Sequence, residues 1–117
     1  MNAAAIPDES PGDGLSVRAR DGIRAALAAE PRVTRAILFG SRARGVARPA
    51  SDIDLALEGP GLKLEHLAAI LTRVEDLGLP VQVDLVIREN VAYPALEAEI
   101  AATGRAWYTA PRPFAGG

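Results

Sequence analysis

Apolar residues follow two rhythms along this chain, one close to every second position and one close to every third or fourth. Val33 to Phe39 (VTRAILF) is short, apolar and partly β-branched, and predicts a buried strand ending at Gly40. Asp52 to Glu58 (DIDLALE) predicts a second strand, closed by the turn sequence Gly59-Pro60-Gly61. Val81 to Ile87 (VQVDLVI) predicts a third. Between these two, Leu64, Leu67, Leu71 and Val74 recur at helical spacing, flanked by Ile70 and Leu77, and Gly78 supplies the stop. A first helix is expected from Ser16, a good N-cap, to Glu30 before Pro31, with Gly22 as its weak point. A last helix starts at Pro94, carries Leu96 and Ile100, and stops at Gly104. Trp107 and Tyr108 then read as packing for that helix. The Pro- and Gly-rich ends, residues 1–14 and 111–117, are expected to be flexible around one domain over 15–110.

Strands alternating with helices place the chain in the α/β (α+β) class with a small sheet. Side chains alternate between faces along a strand, so Ile53, Leu55 and Leu57 share one face while Asp52, Asp54 and Ala56 share the other. In the third strand Val83, Leu85 and Ile87 lie opposite Gln82, Asp84 and Val86. If both strands join one sheet in matching orientation, helices cover the apolar side and the carboxylates gather on the open one.

Composition narrows the function more than the fold. A chain of 117 residues, 49% hydrophobic and 24% charged, suits one ordinary globular domain. A net charge of −2 and a pI of about 5.4 argue against a surface for long nucleic acid, though not against a local pocket for one nucleotide. With no cysteine, disulfides and thiolate metal sites are excluded. The first residues show no signal-peptide pattern and no apolar run reaches membrane-spanning length, so no membrane role and a cytoplasmic location are expected.

Asp84 stands mid-strand between Val83 and Leu85, where a bare carboxylate is costly. Alone, it would be explained by an arginine partner or a wet strand edge. Asp52 and Asp54 change that, because positions i and i+2 project from one strand face and can grip one ion. Three carboxylates on one small surface repel each other unless a cation lies among them. Mg²⁺ fits best, since it prefers oxygen ligands and completes its shell with water and phosphate. Gly40-Ser41 supplies the complementary half: a glycine after a buried strand lets the backbone approach a ligand, and if Ser41 opens a short helix, its hydroxyl and the free N–H groups of the first turn form an anion site. Arg42, Arg44 and Arg48 add positive charge nearby.

Gly40-Ser41, the ten residues 42–51, and Asp52-Ile53-Asp54 resemble the signature of the DNA polymerase β-like nucleotidyltransferase superfamily. The fuller wording LFGSRARG…SDIDL…VDLV is similar to the minimal nucleotidyltransferases, the MNT antitoxin group that pairs with HEPN toxins. The late ALEAEIAATGRAWY resembles that group's closing helix and G-x-x-L-Y ending, with Trp107 where leucine is usual. The resemblance implies a small mixed β-sheet with helices packed on one face. It implies that Asp52, Asp54 and Asp84 are catalytic and hold two Mg²⁺ ions. Gly40 and Ser41 would hold the triphosphate of ATP, with Arg42 and Arg44 at matching positions. Family members that modify small molecules or extend RNA carry extra domains, whereas little more than one helix follows Ile87 here. The resemblance therefore implies a protein acceptor, a tyrosine of a HEPN ribonuclease toxin that receives AMP. Two rival readings stand beside it: a binding-only antitoxin that neutralises the toxin without transfer, and a small-molecule nucleotidyltransferase completed by a partner chain or a second copy. His66, Glu97 and Glu99 read as solvent-facing helix positions, and Gln82 shares the face of Asp84.

Overall fold

The computed structural model describes residues 13–111. The expectation of flexibility in residues 1–12 and 112–117 falls outside the described residues. Helix α1 (Val17–Ala28) starts where predicted, with the Ser16 hydroxyl accepting the Ala19 N–H at 3.1 Å. Strands β1 (Arg35–Phe39) and β2 (Ile53–Glu58) follow, then α2 (Leu64–Glu75) and β3 (Val83–Ile87). A short 3₁₀ turn over residues 88–90 leads to α3 (Pro94–Thr103) and β4 (Arg105–Thr109).

The four strands form one mixed sheet in the order β3-β2-β1-β4. β1 is antiparallel to both β2 and β4, whereas β2 and β3 run parallel and need the α2 crossover between them. The α1 and α2 stripes (Ile23 and Leu27; Leu67, Ile70 and Val74) pack against Leu38, Ile53, Leu55 and Leu57. This is the apolar face predicted from alternation.

Two expectations are corrected. The helices do not all share one face: α3 lies against the opposite side, where Ile100 packs on Ile37, Phe39 and Ala56. The reason is that β1 is apolar on both faces, so its second face also needs cover. The acid-bearing face is therefore partly roofed, yet Asp54 and Asp84 remain part-exposed and Asp52 exposed.

The second correction concerns Trp107 and Tyr108. They belong to a strand, β4, and Trp107 packs with the α1–α2 core on the far side of the sheet from α3. The β1–β4 register shifts by one residue between Ala36 and Ile37, leaving Trp107 as the extra residue of a bulge. A bulge inside a five-residue strand erases the alternation by which it would have been read. No helix among the described residues is long and apolar enough to cross a membrane.

Candidate active site

Parallel pairing of β2 with β3 puts Asp54 opposite Asp84, one rung from Ile53 opposite Val83. Across the other edge of β2, Phe39 lies opposite Asp54, so Gly40 arrives beside the same carboxylate. The two aspartates that alternation placed on one face are thus neighbours on adjacent strands. Asp52 precedes β2 by one residue, and its charge reaches Asp54.

The electrostatics show how tightly these groups interact. Burial pushes the Asp54 carboxyl above the usual carboxylate range, and the negative fields of Asp84, Asp52 and Glu99 push it further. A hydrogen bond between the Asp54 and Asp84 carboxyls adds to the rise, because it favours a shared proton. Gln82 turns its amide onto the pair, donating from Nε2 to Asp84 Oδ1 at 2.9 Å. Among the described residues no three His, Cys, Asp or Glu side chains are gathered into a ready-made metal cage. A hard divalent cation that keeps several waters needs only a few carboxylates. The donor set is oxygen only and already strained by its own charge. It fits Mg²⁺ and does not fit a soft metal.

Gly40 adopts φ +77°, a left-handed conformation open to glycine, and a Cβ there would stand 2.5 Å from Asp54 Oδ2. Gly40→Ala is therefore expected to destabilise the fold by about 1–2 kcal/mol through the backbone alone. It should also displace the Asp54 carboxylate; thermal unfolding and a Mn²⁺ titration, run together, check both effects. Ser41 does not open the expected short helix; it begins a single irregular turn, closed by Ala43 N donating to Gly40 O at 3.1 Å and Val46 N to Ser41 O at 3.1 Å.

The arginines separate. Arg44 is exposed and pairs with Glu99 of α3, Nη1 to Oε2 at 3.2 Å, at the same end of the sheet as the acids. Arg42, expected to contact a nucleotide, is only 1% exposed, and its guanidinium donates to backbone carbonyl oxygens instead. That burial leaves it no surface to offer a ligand. Arg48 is exposed, and its backbone N–H donates to Ser51 Oγ at 2.9 Å.

Glu99 was passed over because it sits in an ordinary helical charge pattern; only the fold of α3 onto β1 brings it within electrostatic reach of Asp54. His66 has a capping role, its Nδ1 accepting the Lys63 N–H at 2.9 Å.

Comparison with known proteins establishes the family and the fold. The polymerase beta nucleotidyltransferase family model covers residues 21–112, which is most of the chain. The chain belongs to that family. This nucleotidyltransferase is 33% identical to a solved protein assigned as a minimal nucleotidyltransferase, covering 74% of this chain and 86% of that one, with a TM-score of 0.57. Two toxin–antitoxin crystal structures share the fold. One, with AMP-PNP, is 23% identical, with a TM-score of 0.63 and coverage of 79% of this chain and 74% of that one. The other, a mutant MntA–HpeT pair, is 20% identical, with a TM-score of 0.62 and the same coverage. No curated protein sequence gives a match.

Proposed function

We propose that this nucleotidyltransferase is a Mg²⁺-dependent protein adenylyltransferase acting as an antitoxin, which moves AMP from ATP onto a tyrosine of a HEPN ribonuclease toxin in the cytoplasm. The observation that carries the reading is the Asp54–Asp84 rung with Asp52 acting on it, set beside Gly40-Ser41. A pure binding surface has no need of carboxylates that oppose one another's ionisation. The toxin partner rests on the likeness to toxin–antitoxin structures.

In this reading Asp52, Asp54 and Asp84 would hold two Mg²⁺ ions. When bound, these ions lower the pKa of the acceptor hydroxyl and offset the charge that builds on departing pyrophosphate. The backbone at Gly40 and the hydroxyl of Ser41 receive the triphosphate, with Arg44 supplying positive charge at the rim. The acceptor oxygen bonds to the α-phosphorus, the bond from that phosphorus to pyrophosphate breaks, and the hydroxyl proton passes to solvent. The protein's own share is orientation and fixed charge.

The test is incubation of the protein with Mg²⁺, α-labelled ATP and the toxin encoded beside it. Label is expected on a toxin tyrosine, together with loss of ribonuclease activity. Inhibition of the toxin without label would instead establish the binding-only antitoxin, and label on a small molecule the third reading.

A further inference from the structure

We propose that Arg42 is a positioning residue: from inside the fold, its guanidinium suspends the loop between Gly40 and β2 and thereby sets where Asp52 stands. The inference rests on the reading of Asp52 as a metal-holding acid and concerns how that acid is placed.

Arg42 is the bulkiest of the fully buried side chains. Nη2 donates to Ser51 O at 2.8 Å and Nε to the same oxygen at 3.2 Å. Nη2 also reaches Pro49 O at 3.2 Å and Arg48 O at 3.4 Å, while Nη1 donates to Asp13 O at 2.8 Å. Gly14 makes room for this, since a Cβ there would lie 2.9 Å from Nη1. Three carbonyls of one short segment therefore converge on one planar cation. The segment is closed on itself as well, Ser51 N donating to Arg48 O at 2.9 Å.

The loop has little else to hold it. None of residues 44–52 is buried, so apolar packing does not fix their path. On the far side of Asp52, Ile53 N donates to Gln82 O at 2.9 Å, tying β2 to the approach of β3. Asp52 thus lies between two anchored neighbours, Ser51 hung from Arg42 and Ile53 fixed to the sheet. An apolar side chain could fill the same volume without the cost of burying a charge, but it would release the loop. Lysine keeps the charge yet lacks the planar fork that serves several carbonyls at once.

The experiment compares wild type with Arg42→Lys in three measurements: Mn²⁺ binding by titration, amide hydrogen exchange over residues 45–52, and metal-free binding of a non-hydrolysable ATP analogue. Expected for R42K are a Mn²⁺ affinity weaker by about 10- to 100-fold, the range seen when a group supporting a metal ligand is lost, and faster exchange in the loop. Metal-free nucleotide binding should not change. A folded R42K with wild-type Mn²⁺ affinity overturns the proposal. So does a loss confined to metal-free nucleotide binding, which would make Arg42 a ligand contact. Should R42K not fold, Ser51→Ala unties the same turn at Arg48 and is expected to weaken Mn²⁺ in the same direction; unchanged affinity there overturns the proposal equally. A wild type that binds Mn²⁺ but transfers no AMP would refute the adenylyltransferase reading while leaving the Arg42 comparison intact.

Discussion

Asp54→Asn is expected to cut nucleotide transfer by about 100- to 1,000-fold, the scale of losing one preorganised electrostatic contact at a reacting centre, and at the same time to make the metal-free protein harder to unfold. Both halves follow from one fact. Asp54 is half-buried opposite Asp84, and burial together with neighbouring negative charge raises its proton affinity in the folded state. The sign runs accordingly. At pH above the raised folded value, ionised Asp54 weakens the native state relative to the unfolded chain. As pH falls through that value the native protein takes up the proton first and the penalty fades, until below the ordinary carboxylate range it is gone. Asparagine removes the penalty throughout. The metal-free variant should therefore melt higher than wild type near neutral pH, with the gap closing in acid. Saturating Mg²⁺ should reverse the order, since it stabilises wild type by binding the native state and has less to bind in the variant. Thermal unfolding with and without Mg²⁺, across pH, checks the prediction. A metal-free variant that melts no higher than wild type at neutral pH would mean that Asp54 is not held against its own charge.

The carboxylate rung was legible because strand alternation is a local property. Asp52, Asp54 and Asp84 declare their face by the apolar residues beside them, and parallel β2–β3 pairing was the only further condition. What alternation could not supply was anything decided between distant segments. β1 is apolar at every position from Ala36 to Phe39, so its sequence gives no sign of which helix covers which face. That ambiguity is why α3 was expected on the wrong side. Glu97 and Glu99 read as a solvated face, yet Arg88 Nη2 donates to Glu97 Oε2 at 2.9 Å and Glu99 pairs with Arg44. Arg42 was read as a nucleotide-site residue because the family resemblance places an arginine there beside Gly40-Ser41. Its carbonyl partners are brought to it only by the return of the loop and by the N-terminal segment at Asp13.

Asp13 carries the second large prediction. It was assigned to the loose N-terminal stretch, but its side chain is 1% exposed and joins three parts of the fold. Arg20 grips both carboxylate oxygens, Nη2 to Oδ1 at 2.9 Å and Nε to Oδ2 at 3.2 Å. Leu15 N donates to Oδ1 at 2.9 Å, and the Trp107 indole N–H to Oδ2 at 3.2 Å. Burial alone would raise the proton affinity of this carboxyl, but Arg20, Leu15 and Trp107 outweigh it and hold the group below the usual carboxylate range. Asp13→Asn turns an acceptor into an amide facing two donors and removes the negative charge that Arg20 grips from inside the fold. The expected cost is about 3 kcal/mol, the low end for breaking a buried ion pair, or a melting temperature lower by roughly 12–20 °C for a domain of this size. Here the pH sign is opposite to that of Asp54. A depressed carboxyl contributes stability that is fully present above its unfolded value and is lost as pH falls through its folded one. The gap between wild type and variant should hold constant at neutral pH and shrink only in strong acid, as Asp13 itself becomes protonated. Because the Asp13 backbone carbonyl holds Arg42, the N-terminal clasp and the loop before Asp52 share one anchor point. Loosening at Asp13 should therefore reach loop 45–52 before it reaches β1 or β2, and hydrogen exchange in D13N should show that order.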